Sequence, residues 1–440
     1  MISDDQSVIV VGLGFGDEAK GATVDFLCSA GNVAGVVRFN GGAQAAHNVV
    51  VDGRHHTFRQ FGSGTLAGVP TLLSRFALVE PIGLAGEAEE LAALGVPDPL
   101  SLITVDPDAL ITTPVHVAAN RTREDARGAG RHGSTGLGIG ETVWYDLATT
   151  RRAQAGERVE NLVAPATATG RALRVRDCLD PVTLHRRLDE LVRFYEPLLA
   201  GGAHGHDGVE AMADLLTAFV GAVRIAPAGH LNELASRGRL VFEGAQGVLL
   251  DEWRGFHPHT TWSTTTPANA QALLAEAGLP RGYVLGLTRA YTTRHGAGPL
   301  PTEDPALLAV DEPFNGSGIY QGGWRAGHLD LVALRYAVEA IGGVDGLAVS
   351  HLDVVDDPGT PAVRAVGAYE TPRGLIDRLP VGAFGDLAHQ QELTDLMHRA
   401  SGTGRELRDS RDAVVTLERA LGAPAQVLAF GPARADRKVA

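Results

Sequence analysis

The residues best suited to chemistry lie close together near the start of the chain. Positions 12–21 read Gly-Leu-Gly-Phe-Gly-Asp-Glu-Ala-Lys-Gly, so a carboxylate and an ammonium share one glycine-rich segment. Lys20 and Lys438 are the only lysines in the sequence, and all other permanently charged basic side chains are arginines. A compact ammonium fits among phosphate oxygens where a planar guanidinium fits badly. The segment therefore predicts a phosphate-binding loop in which Lys20 supplies the positive charge.

Two elements must position this loop. Residues 7–12 predict a short buried strand, and residues 22–28 predict a helix. A strand, a glycine-rich turn and a helix in this order direct backbone N–H groups toward an anion. Asp17 stands where a dinucleotide fingerprint needs glycine, and the order Lys20-Gly21 differs from the Gly-Lys-Ser/Thr of a standard P-loop. Taken alone, the segment also fits an ordinary strand-to-helix turn.

Short apolar runs alternate with helical patterns along most of the chain. The runs predict strands at residues 8–11, 35–38, 71–78, 240–242, 283–287 and 346–349. The helical patterns predict helices at residues 188–199, 208–223, 268–277 and 329–341. This alternation favours an α/β fold with a mostly parallel sheet that is covered on both faces. Residues 121–140 are expected to form a long functional loop. Residues 200–207 are expected to form a turn cluster whose two histidines are more typical of a solvated loop than of a metal site.

Composition limits the classes of function. The chain has 440 residues, of which 44% are hydrophobic and 20% are charged, which suits one large α/β domain or two smaller ones. The net charge of −14 disfavours general nucleic-acid binding, because phosphate neutralisation needs clustered positive charge. Cys28 and Cys178 are too few for a disulfide framework and indicate a reducing compartment. Neither a signal peptide nor a membrane-spanning apolar run is evident, so we expect a cytoplasmic protein with no membrane partner.

Five segments, in chain order, form a specific combination. They are Gly16-Asp-Glu-Ala-Lys-Gly21, Asn40-Gly-Gly-Ala-Gln-Ala-Ala-His47, Gly133-Ser-Thr-Gly-Leu-Gly-Ile-Gly140, Phe242-Glu-Gly-Ala-Gln-Gly247 and Arg289-Ala-Tyr-Thr-Thr-Arg-His-Gly-Ala-Gly-Pro-Leu-Pro-Thr-Glu303. Together they resemble the adenylosuccinate synthetase family over essentially the whole chain, although each segment alone is weak. The resemblance implies a single domain over residues 1–440, with a modified P-loop GTP-binding fold around a central mostly parallel sheet. It also implies a homodimer whose active sites are completed across the interface.

The resemblance implies a two-step reaction. In the family, GTP phosphorylates the 6-oxo group of inosine monophosphate, and L-aspartate then displaces the phosphate. Asp17 matches the carboxylate that deprotonates the purine ring nitrogen, and His47 matches the histidine that stabilises the transferring phosphoryl group. Without the resemblance, His47 would more often be a loop or core histidine. The protein ligands of Mg²⁺ would be Asp17 and the carbonyl of Ala46, with phosphate oxygens completing the shell.

The family pattern also assigns binding residues. The GTP phosphates would be held by Gly16, Glu18, Ala19, Lys20 and Gly21. The purine nucleotide substrate would be held by Gln44, Ser134, Thr135, Gln246 and Thr261. An arginine from the second subunit reaches the substrate phosphate in the family. Arg151 or Arg152 is the candidate here, because an insertion in this segment leaves the register open.

The sequence departs from the family pattern where the amine is bound. The family holds the aspartate carboxylates in a Thr-Thr-Gly-Arg-x-Arg-Arg loop. Counting back from Leu329 places Gly322 and Trp324 at two of the three arginine positions, and only Arg325 remains. Each lost charge-assisted hydrogen bond is worth about 1.5–3 kcal/mol. Tyr320 and Trp324 would suit a less charged or aromatic amine, so the loop predicts a changed amine specificity.

The donor-base site also differs from the family pattern. A guanine-binding Thr-Lys-Leu-Asp appears here as Ser350-His-Leu-Asp, so that Asp353 remains to accept hydrogen bonds from guanine. His351 replaces the lysine and offers a stacking surface instead. The family's C-terminal motif near the base has changed at residues 429–434, in which Gly431 is kept. GTP is therefore the expected donor, and ATP stays an open alternative.

The residues leave three hypotheses. The first is a GTP- and Mg²⁺-dependent ligase that phosphorylates the 6-oxo group of a purine nucleotide and replaces it with an amine other than aspartate. The second is adenylosuccinate synthesis from inosine monophosphate and L-aspartate. The third is a non-catalytic nucleotide-binding protein, which is disfavoured because binding alone does not need both Asp17 and His47.

Overall fold

The computed structural model describes residues 5–128, 133–150, 172–315, 320 and 322–440, without the side chains of residues 149 and 150. Its strands in chain order are β1 (Val8–Gly12), β2 (Val33–Arg38), β3 (His47–Val51), β4 (Arg54–Phe58), β5 (Thr71–Leu73), β6 (Leu78–Val79), β7 (Ile103–Val105), β8 (Leu110–Ile111), β9 (Arg224–Ile225), β10 (Arg239–Gly247), β11 (Tyr283–Arg289), β12 (Thr292–His295), β13 (Trp324–Gly327), β14 (Leu329–Asp330), β15 (Gly346–Ser350), β16 (Arg364–Thr371), β17 (Gly374–Ile376), β18 (Ser401–Glu406), β19 (Ala425–Ala429) and β20 (Arg437–Val439). Its α-helices are α1 (Lys20–Ser29), α2 (Pro81–Ala93), α3 (Pro114–Arg127), α4 (Ile139–Thr150), α5 (Pro181–Leu199), α6 (Val209–Ala222), α7 (His230–Ala235), α8 (Ala268–Glu276), α9 (Leu331–Ala340), α10 (Asp353–Asp356), α11 (Leu387–Met397) and α12 (Ser410–Leu421).

The main sheet has the strand order β20-β19-β15-β11-β1-β10-β2-β5-β7-β9. Every neighbouring pair in it is parallel except β19 and β20 at one edge. Because the carboxyl ends of parallel strands share one edge of the sheet, the loops that follow β1, β2, β10, β11 and β15 meet there. The predicted fold class, an α/β fold with a central mostly parallel sheet flanked by helices, is confirmed.

Strand β1 shows why the sheet is covered on both faces. All five of its residues are buried. Val8 and Val10 pack into a cluster that contains Val24 of α1, whereas Ile9 and Val11 pack into the largest cluster, with residues of α8, α9 and α12. Successive side chains of a strand point to opposite faces, so an uninterrupted apolar run needs helices on both sides.

Two sequence-based expectations were wrong. Residues 71–78 form two short strands, because the N–H of Ala77 bonds to the carbonyl of Ser74 and closes a turn between them. Residues 121–140 do not form one loop, since α3 extends to Arg127 and α4 begins at Ile139. Arginine, glutamate and alanine favour helix, and this preference carries α3 up to the first glycine.

Two predicted elements are longer than expected. Strand β10 continues past the predicted end at residue 242 to Gly247 and so carries a family segment to the sheet edge. Helix α5 begins at Pro181, because the carboxylate of Asp180 accepts a hydrogen bond from the N–H of Thr183 and caps the helix. The apolar pattern alone does not predict either extension.

Residues 200–207 form a turn-rich connection, as predicted. His204 Nε2 lies 2.7 Å from Asp125 Oδ2. In the described ranges, no group of three or more His, Cys, Asp or Glu side chains is placed to hold a metal ion. No helix in those ranges combines the length and the apolar character needed to cross a bilayer.

Smaller strand pairs extend the edge of the main sheet. Strands β3 and β4 form an antiparallel pair that begins with His47, and β12 and β13 form another in which His295 lies opposite Trp324. Strands β14, β16, β17 and β18 form a separate four-stranded sheet. The two antiparallel pairs each bring a histidine to the edge where the sheet loops meet.

Helix α3 starts with a buried histidine as part of its cap. The N–H and the hydroxyl of Thr113 lie 3.1 and 3.0 Å from His116 Nδ1. His116 Nε2 is buried without a hydrogen-bond partner among the described residues. Burial lowers the pKa of His116 to about 3 from a usual value of 6.5. The imidazole therefore stays neutral, because a proton on Nδ1 would destroy the cap and bury a charge.

This cap predicts an acid-sensitive stability. Because the pKa of His116 is lowered by folding, its contribution is complete above pH 6.5 and is lost as the pH falls toward 3. His116→Gln keeps a side-chain acceptor at the third helical position and removes the titration. Between about pH 7.5 and 5.5, the wild type should lose about 1.4 kcal/mol more unfolding free energy than the variant. Equal losses in urea denaturation at the two pH values would contradict this.

Candidate active site

A cavity of about 790 Å³ lies at the carboxyl edge of the main sheet. Its wall includes Phe15 after β1, Gln44 after β2, Gln246 near the end of β10, Arg289 at the end of β11 and Ser350 at the end of β15. This edge is where open α/β sheets bind ligands, and the volume is usual for a small-molecule site. The cavity is therefore the candidate active site.

Most of the predicted site residues line this cavity. They are Gly16, Asp17, Ala19, Lys20, Gly21, Gln44, Ala46, His47, Ser134, Thr135, Gln246, Thr261 and Gly431. Glu18, Arg325 and Asp353 are described but do not line the cavity. Arg151 and its neighbour Arg152 lie outside the described residues. Residues assigned to the donor, to the metal and to the substrate therefore meet in one space.

Glu18 supports the phosphate-binding loop from within. Lys20 is 2% exposed, and its Nζ donates hydrogen bonds to the carbonyl of Gly16 at 2.7 Å and to Glu18 Oε2 at 3.1 Å. Glu18 Oε1 accepts a hydrogen bond from the N–H of Gly16 at 2.8 Å. Glu18 therefore fixes the position of the buried ammonium and of the loop around it. These contacts engage two of the three N–H groups of Lys20 and leave the third for a ligand. Ala19 adopts φ 61°, a left-handed conformation that costs a non-glycine residue about 1–2 kcal/mol.

Gly21 lets helix α1 pack directly against β3. A Cβ atom at Gly21 would lie 2.6 Å from His47 Cβ and 2.9 Å from Ser63 Oγ, which is closer than real contacts allow. His47 Cβ is bonded directly to the backbone, and Ser63 Oγ is held by its hydrogen bond to Glu243. The absence of a side chain at this position therefore fixes the spacing between the loop that carries Lys20 and the imidazole of His47.

Gly21→Ala should lower both stability and activity. The added methyl group pushes β3 away from α1, which we expect to cost about 1–3 kcal/mol of unfolding free energy and to displace His47. Gly86→Ala in α2 is the matched control, because no atom lies within 4 Å of its added Cβ. That change should stabilise the protein by about 0.5–1 kcal/mol and leave kcat unchanged. Similar urea midpoints for both variants would contradict the steric argument.

His47 is held by a buried carboxylate. Its Nδ1 lies 2.6 Å from Glu243 Oε1, and both side chains are buried. Ser63 donates to the same carboxylate from its hydroxyl at 2.5 Å and from its N–H at 2.9 Å. Burial lowers the pKa of His47. Burial alone would raise the pKa of Glu243, but the hydrogen bond from His47 and the charge of Arg38 outweigh it and lower that pKa.

The His47–Glu243 pair sets the role of the imidazole. With Glu243 ionised, Nδ1 carries the proton and donates it, which leaves Nε2 as the ring nitrogen available to a ligand. A phosphoryl group in the cavity favours a second proton on Nε2, and Glu243 stabilises the resulting imidazolium. The arrangement suits His47 for stabilising negative charge on a transferring group.

Asp17 presents its carboxylate to the cavity beside β12. Its Oδ2 lies 3.4 Å from Thr293 Oγ1 and 3.5 Å from His295 Nε2. Its backbone carbonyl accepts a hydrogen bond from Arg289 at 3.1 Å, which ties the loop to the end of β11. The side chain is 24% exposed, so it can take a proton from a ligand or share a metal ion. Both side-chain contacts of Asp17 are long, so its carboxylate remains available to a ligand.

The donor set fits magnesium bound mainly through phosphates. Asp17 and the carbonyl of Ala46 are hard oxygen donors, and both residues line the cavity. Mg²⁺ typically takes one or two protein oxygens and completes its octahedron with water and phosphate oxygens. The lack of a larger carboxylate or histidine cluster in the described residues agrees with that mode.

Two amide side chains in the cavity wall have unmatched polar atoms. Both amide atoms of Gln44 and the Oε1 of Gln246 are buried without a hydrogen-bond partner among the described residues. Gln246 adopts φ 63°, and its Nε2 donates to Thr261 Oγ1 at 2.8 Å. Buried polar atoms are nearly always satisfied, so these groups indicate a polar ligand. Thr135 is exposed in the same wall, whereas the hydroxyl of Ser134 is engaged with Asn120.

The far end of the cavity contains the predicted donor-base residues. Ser350, His351 and Gly431 line it, but Asp353 is exposed and lies beyond the lining. His351 Nδ1 lies 3.0 Å from Ser350 Oγ, and burial lowers the pKa of His351 well below its usual value. The imidazole is thus neutral and fixed, and it offers a flat surface to a base.

Arg325 is committed to a neighbouring loop. Its guanidinium forms a bidentate ion pair with Glu303, and its Nη1 donates to the carbonyls of Gly296 at 2.9 Å and Gly298 at 2.7 Å. These contacts support Gly296 and Gly298, which line the cavity, but the guanidinium of Arg325 itself does not line it. A substrate carboxylate would have to displace Glu303 to reach Arg325.

The other residues expected to favour a different amine lie away from the cavity. Trp324 packs at the margin of the largest hydrophobic cluster, and neither it nor Tyr320 lines the cavity. Tyr320 lies against the 133–138 segment, where a Cβ at Gly136 would be 2.7 Å from its ring. Arg294 does line the cavity, with its guanidinium 4.2 Å from the ring of Phe15. Burial and then the charge of Arg325 lower the pKa of Arg294 to about 9.

Sequence reasoning did not assign roles to three site residues. Glu243, Arg294 and His295 were part of the matched segments but received no role. A glutamate within an otherwise buried strand is an available indication, because glutamate is rarely buried unless it is paired. The sequence contains no similar indication for Arg294 or His295.

Comparison with known proteins agrees with this geometry. The adenylosuccinate synthetase family model matches residues 9–437. An adenylosuccinate synthetase from Neisseria meningitidis serogroup C is 33% identical over 451 aligned residues, which cover 98% of each chain. One from Methylococcus capsulatus is also 33% identical and covers 98% of this chain and 97% of its own.

Solved structures share the fold. The structure of fully ligated adenylosuccinate synthetase from Plasmodium falciparum matches with a TM-score of 0.79 at 19% identity and covers 99% of this chain and 100% of its own. Succinoaminodeoxyadenylate synthetase (PurZ) from cyanophage S-2L, bound to dGMP and to dATP as an energy donor, matches with a TM-score of 0.58 at 17% identity and covers 99% of this chain and 96% of its own. The chain therefore belongs to the adenylosuccinate synthetase family, whose members are ligases that form carbon–nitrogen bonds.

Proposed function

We propose that this protein uses GTP and Mg²⁺ to phosphorylate the 6-oxo group of a purine nucleotide resembling inosine monophosphate and then replaces the phosphate with an amine. The observation that carries this proposal is the meeting of Asp17, Lys20 and a glutamate-held His47 in one cavity. A binding protein would need the ammonium but neither the free carboxylate nor the paired imidazole.

The residues fit successive parts of the reaction. Asp17 takes the proton from the purine ring nitrogen, so electron density moves to the 6-oxo oxygen. This oxygen bonds to the γ-phosphorus of GTP while the bond from that phosphorus to the β,γ-bridging oxygen breaks, and GDP leaves with the electron pair. Lys20 and His47 stabilise the negative charge of the phosphoryl oxygens during that transfer. The amine nitrogen then bonds to the purine C6 and loses a proton to solvent. The C6–O bond breaks, and its oxygen keeps the electron pair and leaves as part of the phosphate. When bound by Asp17 and the carbonyl of Ala46, Mg²⁺ would supply further charge neutralisation.

An amine other than aspartate is the first candidate. Its support is the amine loop, in which Gly322 and Trp324 stand at family arginine positions and Arg325 is paired with Glu303. A dicarboxylate would therefore lack the bidentate partners that make such binding strong.

L-Aspartate is the second candidate. Arg294 lines the cavity, and its Nε is buried without a partner among the described residues. The relatives with 33% identity also carry the name adenylosuccinate synthetase. The Nη1 and Nη2 atoms of Arg294 donate to the carbonyls of Pro299 at 3.0 Å and His259 at 3.4 Å, so Nε is the N–H that a substrate carboxylate would contact.

The assembly, the location and the donor are part of the same proposal. We propose a cytoplasmic homodimer in which Arg151 or Arg152 of one subunit reaches the substrate phosphate of the other. GTP is the proposed donor, with the base next to His351. ATP is the alternative to test, since the cyanophage relative is described with dATP as its energy donor.

The test is a product analysis with purified protein. Inosine monophosphate, Mg²⁺ and either GTP or ATP are incubated with L-aspartate, ammonium, L-alanine or L-tyrosine, and the nucleotides are identified by mass spectrometry. We expect phosphate release that depends on the amine and matches a nucleotide product containing it. A product with L-aspartate favours the second candidate, and one with another amine favours the first. No phosphate release in any mixture would support a non-catalytic nucleotide-binding protein.

A further inference from the structure

The end of β12 brings an imidazole against the carboxylate of Asp17. Thr293 and His295 are two residues apart on this strand, so their side chains point to the same face. Both approach Asp17 Oδ2, Thr293 from 3.4 Å and His295 Nε2 from 3.5 Å. His295 also lines the cavity, with 15% of its side chain exposed. The imidazole is therefore part of the site, and the mechanism described above does not use it.

The two ring nitrogens of His295 have different surroundings. Nε2 faces the carboxylate of Asp17, whereas Nδ1 is buried and has no hydrogen-bond partner among the described residues. A carboxylate attracts an N–H, so the neutral ring carries its proton on Nε2 and keeps a lone pair on Nδ1. Nδ1 is then an acceptor whose donor is missing among the described residues. It does not suit a carboxylate, which is itself an acceptor.

Two of the reacting groups expected beside Asp17 cannot supply that donor. The ring N–H of the purine goes to Asp17 in the proposed reaction, and the phosphoryl oxygens are acceptors. The nitrogen that attacks C6 keeps at least one N–H while its lone pair points to carbon. We propose that His295 positions the attacking amine by accepting a hydrogen bond from its N–H at Nδ1. This inference rests on the proposed function and names a substrate contact within it.

The neighbouring residues leave room for such a contact. Gly296, Ala297 and Gly298 follow His295 and line the same wall, so no bulky side chain stands between the imidazole and the cavity. Arg325 holds the carbonyls of Gly296 and Gly298 from the opposite side. Arg325 of the altered loop thus supports the residues that follow His295. His295 contacts the nitrogen of the amine and leaves the rest of the amine to other residues.

The test compares two substitutions of similar size. His295→Leu removes the acceptor, whereas His295→Asn keeps an amide oxygen close to the place of Nδ1. The amine used in this test is the one from which the wild type makes product, among L-aspartate, ammonium, L-alanine and L-tyrosine. For each variant, KM is measured for that amine and for inosine monophosphate. Phosphoryl transfer is followed separately, without amine, by positional isotope exchange between the bridging and non-bridging oxygens of ¹⁸O-labelled GTP.

We expect His295→Leu to raise the KM of the amine about tenfold, which corresponds to one lost hydrogen bond. Isotope exchange and the KM of inosine monophosphate should stay within about twofold, and His295→Asn should recover most of the loss. His206→Leu, in the 200–207 connection, is the matched control and should match the wild type. An unchanged amine KM, or a parallel fall of exchange and turnover in His295→Leu, would overturn the assignment. A wild type with neither exchange nor product would overturn the proposed function itself.

Discussion

Asp17→Asn is expected to lower kcat about 10³-fold, the largest effect of any single substitution in this site. Asparagine keeps the shape of the side chain and the backbone hydrogen bond from Arg289, but it cannot take the ring proton of the purine. It is also a weaker partner for Mg²⁺, because the amide has no charge. The isotope exchange described above should fall together with kcat, since the loss precedes the arrival of the amine.

The exchange measurement separates this role from a role in amine binding. If Asp17 acted only on the amine, Asp17→Asn would keep wild-type exchange and lose only product formation. Asp377→Asn, at an exposed position outside the cavity, is the matched control for the change of charge. Both variants should unfold at nearly the same urea concentration, because surface and half-exposed substitutions of this kind change stability by about 0.5 kcal/mol or less.

His47→Asn is expected to lower kcat by about 10²–10³-fold. The substitution removes the ring nitrogen that faces the transferring phosphoryl group. Glu243→Gln should produce a smaller loss, because His47 remains but its imidazolium form no longer lies against a negative charge. A glutamine also presents an NH₂ group to Nδ1, which favours the wrong tautomer of the imidazole.

The variant that combines His47→Asn with Glu243→Gln is the internal control. If Glu243 acts through His47, the variant with both substitutions should be about as active as His47→Asn alone, since the partner of a missing imidazole contributes nothing. Losses that multiply would show that Glu243 acts independently, through Ser63 or Arg38. Full activity in Glu243→Gln would contradict the pairing as a functional feature.

The structure gives residues 322–325, where two family arginines are replaced, a structural role. The sequence comparison treats Arg325 as the last arginine available to a substrate carboxylate. In the structure, Arg325 is bound by Glu303 and two backbone carbonyls, and Trp324 packs at the margin of the core. The loop is therefore a structural support for residues 294–298. Arg294 and His295, which belong to this stretch, line the cavity.

Some features of the site follow from local sequence. The apolar run before residue 12, the glycines and the helix pattern after them predict the phosphate-binding loop, because strand, turn and helix preferences act over a few residues. The alternation of strands and helices predicts a parallel sheet, and such a sheet places its loops at one edge. The family segments then assign Asp17, Lys20 and His47, and all three line one cavity.

Other features exist only in the folded chain. Glu243 and His47 are 196 positions apart, and their hydrogen bond depends on β10 lying in register next to β2 while β3 packs on α1. The contact of His295 with Asp17 depends on β12 lying at the cavity edge. The pairing of Arg325 with Glu303 engages a charge that the resemblance assigns to the substrate. The sequence determined the fold class and the chemistry of the loop, because short-range preferences and matched segments carry that information. Tertiary structure alone decided which charges are paired and which remain for a ligand, because pairing depends on distances between residues far apart in the chain.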